Sequence, residues 1–125
     1  VTLIDTSSWI EFLRGSDSGP ADRVESLISS GEAVWCDLVA LELWNGVRPG
    51  LETKTLKTLE AELACVEMAR AAWQTARQLS VMVRKAGYTI PSTDIAIAAC
   101  AHSHGLEVEH SDKHFDIILP IAEKL

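Results

Sequence analysis

Few cysteines, no long apolar run and a shortage of basic residues bound this 125-residue chain before any motif is read. Its three cysteines, Cys36, Cys65 and Cys100, have no CxxC spacing and an odd total. That argues against a disulfide or zinc framework and suits small, reduced core residues of a cytoplasmic protein. No apolar stretch approaches the roughly 20 residues of a membrane span, and no basic-then-apolar export signal opens the chain. No membrane association is therefore expected. The missing initiator Met fits a processed or trimmed N-terminus. Lys and Arg number 11 against 18 Asp and Glu, a net charge of −7. Such a balance argues against gripping nucleic acid by broad electrostatics, and suits a basic partner or acidic residues gathered around metal. Repeats, low-complexity tracts, linkers and hairpin signals are also lacking.

What is present is an ordinary composition, 47% hydrophobic and 23% charged, enough for one domain, residues 1–125, with a real core. Strands are expected at Val1–Ile4, Ala33–Cys36 and Leu106–Glu109, with a fourth at Ile117–Ile121. Helices are expected at Thr6–Arg14, Ala21–Ser29 behind Pro20, Leu38–Val47, Leu51–Leu63 and about 69–86, the last marked by Ala72, Ala76, Leu79 and Val83 at helical spacing. Ser92 is read as the cap of an alanine-rich helix reaching His104. Alternating strands and helices predict a three-layer α/β/α fold with a mostly parallel central sheet of four to five short strands. In such sheets ligands bind beyond the carboxyl ends of the strands.

Four acidic positions bear on that edge. Asp5 ends the first strand in VTLIDTSSW, where capping the next helix accounts for part of its presence. Glu42 lies in the apolar helix VALELWNGV, its alternatives being a head that reaches water or an ion pair with Arg48 or Arg14. Asp94 falls in the first turn of the helix in IPSTDIAIAACA, a favourable place for any carboxylate. Asp112 follows the third strand in EVEHSDKHFDII and doubles as a turn residue. With right-handed crossovers all four converge at one sheet edge. Clustered carboxylates cannot all ionise without cations, and oxygen donors favour Mg²⁺ or Mn²⁺. Ions so held serve phosphodiester hydrolysis.

In order and spacing, LIDTSSW, ALELWNG, PSTDIAIAACA and HSDKHFDII resemble the PIN-domain ribonucleases. The DTSxWI opening and short length are most similar to the VapC toxins of bacterial toxin–antitoxin pairs. The resemblance implies a compact PIN fold, Mg²⁺- or Mn²⁺-dependent endoribonuclease activity, a cognate VapB-type antitoxin and a homodimer. By the same match Asp5, Glu42, Asp94 and Asp112 fall on the family's acidic metal-binding positions, and Ser7 on the small polar position beside the first. His110-Ser111 departs from the family's usual residues before the last aspartate, and a backbone carbonyl is the favoured partner for His110. Asp116 is a second candidate for the fourth carboxylate, its place after Phe115 also suiting a helix cap. Arg14 and Lys113 are the basic residues nearest the site segments and the candidates for holding RNA. The antitoxin is expected along a groove near Trp9, Phe12 and Trp44, with a basic segment entering the carboxylate pocket.

Other chemistries are set aside. His102 and His104 are two apart on a helix and cannot face one ion, and His110 and His114 straddle a turn, so no histidine metal site is expected. Ser7 and Ser8 lack a Gly-x-Ser-x-Gly elbow, no glycine loop cradles phosphate, and Asp5-Thr6-Ser7 lacks the Asp-x-Asp of haloacid-dehalogenase phosphatases. Two rivals remain: an RNA-maturation nuclease of the same fold without antitoxin, and a non-catalytic binding module for a basic partner.

Overall fold

The computed structural model describes residues 1–125. Strands β1 (Thr2–Ile4), β2 (Ala33–Cys36), β3 (Ala64–Val66) and β4 (Glu107–Glu109) form one parallel sheet in the order β3-β2-β1-β4. Leu3 stands opposite Val34 on one side and Val108 on the other, and Trp35 opposite Cys65. A strand covered on both faces has no polar side to alternate with, and β2 accordingly is buried at every position. The edge strand β3 is short and largely exposed, which limits its use as a pairing template.

Two helices, α1 (Thr6–Leu13) and α2 (Gly19–Ser29), lead from β1 to β2, and α3 (Asp37–Gly46) and α4 (Leu51–Glu62) from β2 to β3. Both steps go outward in the same direction. The chain then returns through α5 (Arg70–Lys85) and α6 (Ser92–Ser103) to β4, on the far side of β1, and ends in α7 (Lys113–Ala122). Right-handed crossovers in opposite directions put their helices on opposite faces. The packing agrees: α1 lies against α2, α3 and α4, while α5, α6 and α7 pack together. The point where direction reverses, between β1 and β4, opens a crevice at the carboxyl edge of the sheet.

Local sequence explains the helices that matter most here. In α5 the buried residues are Ala72, Ala76, Leu79 and Val83, a single stripe against the core. In α6 every residue from Asp94 to Ala101 is buried, and its alanines let α5 and α7 approach from both sides. Gly105, with φ +64°, turns the end of α6 back toward β4, as Leu106 N–H donates to the Ala101 carbonyl at 2.9 Å. Under the sheet, Trp9 is fully buried, its ring 5.9 Å from Trp35 and 6.0 Å from Phe12. No helix is long and apolar enough to cross a membrane.

Several expectations are corrected. Ile117–Ile121 is not a strand but part of α7: Asp112 caps the helix, and Phe115, Ile118 and Ala122 fall on one buried face. The apolar run Ile117-Ile118-Leu119 is compatible with either period, and the cap decides it. The fourth strand is instead Ala64–Val66, whose exposed edge position leaves no hydrophobic signature. Pro91, not Ser92, occupies the cap position of α6, with Ser92 already helical. Cys65 is exposed, unlike Cys36 and Cys100. Trp9 itself is core, and the cleft between α1 and α3 is lined by Ile10, Leu13, Arg14, Leu43 and Val47.

Candidate active site

Asp5 leaves β1 in an extended conformation and caps α1. Its backbone N–H donates to the Glu109 carbonyl at 2.8 Å, so the ends of β1 and β4 are tied together. Its Oδ2 accepts from the Ser7 N–H at 3.0 Å and from Ser7 Oγ at 2.6 Å. Capping therefore accounts for one carboxylate oxygen. The other, Oδ1, is buried and has no hydrogen-bond partner, on a residue only 2% exposed. Burial raises the Asp5 pKa above the usual carboxylate range; the Ser7 and Thr6 hydrogen bonds oppose the rise, and repulsion from Asp112 adds to it.

Ser7 serves both sides of the crevice. While its hydroxyl donates to Asp5, its oxygen accepts the Ser111 N–H at 3.0 Å, joining α1 to the turn before α7. Asp112 caps α7, its Oδ1 accepting the His114 N–H at 2.9 Å. Asp94, in the first turn of α6, is buried. Its pKa is raised, first by burial, then by Asp5 and Asp112, while His114 opposes the rise. The His114 ring closes the group: Nδ1 lies 2.9 Å from Asp94 Oδ2 and 3.3 Å from Asp112 Oδ1. Ligand atoms of Asp94, Asp112 and His114 all lie within 4.8 Å of one another.

The other candidate residues are placed differently. Glu42, half-buried on α3, accepts from Thr6 Oγ1 at 2.8 Å. It is thus held beside Asp5 through Thr6, outside the tight group, and Arg48 approaches Glu52 at 3.8 Å rather than Glu42. Asp116 is exposed, 3.8 Å from His110 Nε2, and makes no bond to the aspartates. His110 Nδ1 accepts the Asp112 N–H at 3.3 Å and its ring lies 5.2 Å from Phe115; it bonds an amide where a carbonyl partner was expected. Arg14 is exposed at the end of α1, lining the cleft that also holds Glu42, and Lys113 is exposed at the start of α7.

Sequence reasoning missed His114. Two residues from Asp112, it gains its position only because the cap turns the chain back on itself. Also missed was Glu109, whose side chain accepts from Ser8 Oγ at 2.8 Å and from Arg23 at 2.6 and 3.2 Å. These partners lie far apart in the chain, and no spacing rule connects them.

The donor chemistry suits a divalent cation. Three carboxyl groups from β1, α6 and the start of α7 repel one another, and one buried carboxylate oxygen lacks any partner. A cation would satisfy that oxygen and relieve the repulsion.

The PIN-domain family profile matches residues 2–118. The chain is 34% identical over 124 residues to VapC ribonuclease Mb1587 of Mycobacterium bovis and, at the same level, to ribonuclease VapC11 of Mycobacterium tuberculosis. Each alignment covers 96% of this chain and 92% of the relative.

Proposed function

Since this chain belongs to the PIN-domain family, on its VapC branch, we propose that it is a metal-dependent endoribonuclease toxin that hydrolyses RNA phosphodiester bonds. The reading includes a cognate VapB-type antitoxin, a homodimer and action in the cytoplasm. The observation that carries it is the meeting of the Asp5, Asp94 and Asp112 carboxyls at the reversal point of the sheet, with Asp5 Oδ1 buried and unsatisfied.

Asp5, Asp94 and Asp112 would hold Mg²⁺ or Mn²⁺, with Glu42 at the margin of the cluster. A bound ion supplies charge for the phosphate and a more acidic attacking water. Ser7 fixes the orientation of Asp5 by donating to Oδ2, which leaves Oδ1 free for the ion. Through Ser111 it also holds the turn that carries Asp112, so one hydroxyl sets the spacing of two ligands. Thr6 performs a similar service for Glu42. Lys113, next to Asp112, and Arg14, at the far end of α1 from Asp5, would offset the negative field where RNA must approach. A basic antitoxin segment would pair with the same carboxylates and so compete with the ion.

The test is expression of the wild type and Asp5→Asn in bacteria, with total RNA examined for discrete cleavage products. Cleavage by the wild type alone is expected. Equal cleavage by Asp5→Asn would remove the carboxylate cluster from the reaction.

A further inference from the structure

The cluster at the sheet edge contains a ring nitrogen as well as carboxylate oxygens. His114 Nδ1 stands 2.9 Å from Asp94 Oδ2 and 3.3 Å from Asp112 Oδ1. A single N–H points along one axis and satisfies one acceptor well. Here oxygens of two different carboxylates converge on the same atom. An octahedral ion with ligand distances of about 2.0–2.1 Å separates adjacent ligands by about 2.9–3.0 Å. The two separations at Nδ1 are close to such edges, and all three donors fit within the 4.8 Å span of one ion's ligand set. A separate observation points to a cation beside this group: Asp5 Oδ1, on a residue 2% exposed, has no partner, and its carboxyl is repelled by Asp112 and itself repels Asp94, while lying outside the 4.8 Å span of the other three donors.

We propose that His114 is itself a metal ligand, completing with Asp94 and Asp112 a mixed nitrogen–oxygen site, flanked by Asp5, that selects Mn²⁺ and related transition ions over Mg²⁺. The proposal rests on the metal-dependent reading above and specifies its ion. Mg²⁺ prefers oxygen donors and gives up its waters reluctantly, whereas imidazole strengthens binding of first-row transition ions. Helix α7 supports the arrangement. The His114 N–H is already bonded to Asp112 Oδ1, so backbone and ring approach the same carboxylate and the ring is held in place before an ion arrives. The neighbouring imidazole is otherwise engaged, since His110 Nδ1 accepts the Asp112 amide.

The experiment titrates Mn²⁺ and Mg²⁺ into the metal-free full chain by calorimetry and records pulsed electron paramagnetic resonance of bound Mn²⁺. Wild type, His114→Asn, His114→Asp and Asp5→Asn are compared, each with its circular dichroism spectrum. The wild type is expected to show nitrogen coupling to Mn²⁺ and to bind Mn²⁺ at least about tenfold more tightly than Mg²⁺. His114→Asn should lose the coupling and most of the preference. His114→Asp should regain affinity without coupling and accept Mg²⁺ more readily. Mn²⁺ bound to the folded wild type without nitrogen coupling would overturn the ligand assignment alone, leaving His114 a hydrogen-bond donor to the aspartates. A folded wild type that binds neither ion would overturn the metal centre and the ligand with it, whereas Asp5→Asn that binds as tightly as wild type would overturn only the part assigned to Asp5.

Discussion

Two strand ends on the same edge of the sheet begin alike and finish differently. Asp5 follows β1, and Asp37 follows β2; each stands where a parallel strand gives way to a helix. Asp5 is buried, accepts from Ser7 as the cap of α1, and is in mutual repulsion with two other aspartates. Asp37 is exposed, and its side-chain partner is the Cys65 thiol at 3.5 Å. Around it lie thiols rather than carboxylates. Cys36 and Cys100 are buried, and their interaction lowers the Cys36 pKa and raises that of Cys100. Partial loss of solvent around its sulfur, with help from Asp37, pushes the thiol of the otherwise exposed Cys65 up to about 11, so it stays protonated at neutral pH. The difference follows from topology. Beside β1 the crossovers leave for opposite faces, and α6 and α7 bring acids into the gap. Beside β2 no such gap exists. A strand-end aspartate becomes a site only at the reversal point.

The sharpest way to break this comparison is to make the same substitution at both ends. Asp5→Asn should lower RNA cleavage by roughly a thousandfold, since metal-supplied charge stabilisation amounts to several kcal/mol and each factor of ten to about 1.4. Asp37→Asn should change it less than about twofold. Cleavage assays on the two purified variants decide; a comparable loss at Asp37 would erase the distinction between the two ends.

A smaller effect is expected from the struts around Asp5. Glu109→Ala leaves the fully buried Ser8 hydroxyl without its acceptor, at a cost of about 1–3 kcal/mol. The ion pair with Arg23 adds little to this because Arg23 is exposed. Urea unfolding should therefore show a clear loss for Glu109→Ala and a small one for Arg23→Ala. Equal losses would place the strength of the strut in the ion pair.

How far the sequence revealed this arrangement depends on whether a contact is local. Asp5, Asp94 and Asp112 are legible because each sits at a strand end or helix start, positions with their own signatures. The reversal at β1 is not legible, because alternating strands and helices with right-handed crossovers leave the strand order open. The strand β3 is not legible: Ala64 and Cys65 are exposed and short on apolar contrast. Neither is α7, where three consecutive aliphatics suit a strand until Asp112 is recognised as a cap. His114 straddles a turn with His110 and so reads as no ligand, and no spacing rule anticipates a ring that meets Asp94, 20 residues away. The Ser8–Glu109 bond spans 101 residues and belongs to packing alone.

Stability against pH reports on the β1 end in the metal-free protein. The pKa values of Asp5 and Asp94 are raised above the ordinary 3.8. Between 3.8 and those raised values the folded state binds more protons than the unfolded chain. Their contribution to stability is therefore full below 3.8 and is lost as pH rises through the raised values. Asp94→Asn should flatten this loss and melt at or above the wild-type temperature without metal at neutral pH. A large drop in melting temperature for Asp94→Asn would make Asp94 a structural residue. Smallest of all, Cys65→Ser at the exposed thiol should shift stability by no more than about 0.5 kcal/mol in denaturant titrations.

The most direct test of the central claim is removal and return of the ion with purified protein and RNA. Wild-type cleavage is expected to stop when a chelator strips divalent cations and to resume on adding Mn²⁺, while Asp5→Asn stays inactive throughout. Cleavage that continues at full rate in the chelator would contradict the account, because the carboxylates at the reversal point would then have no ion to hold.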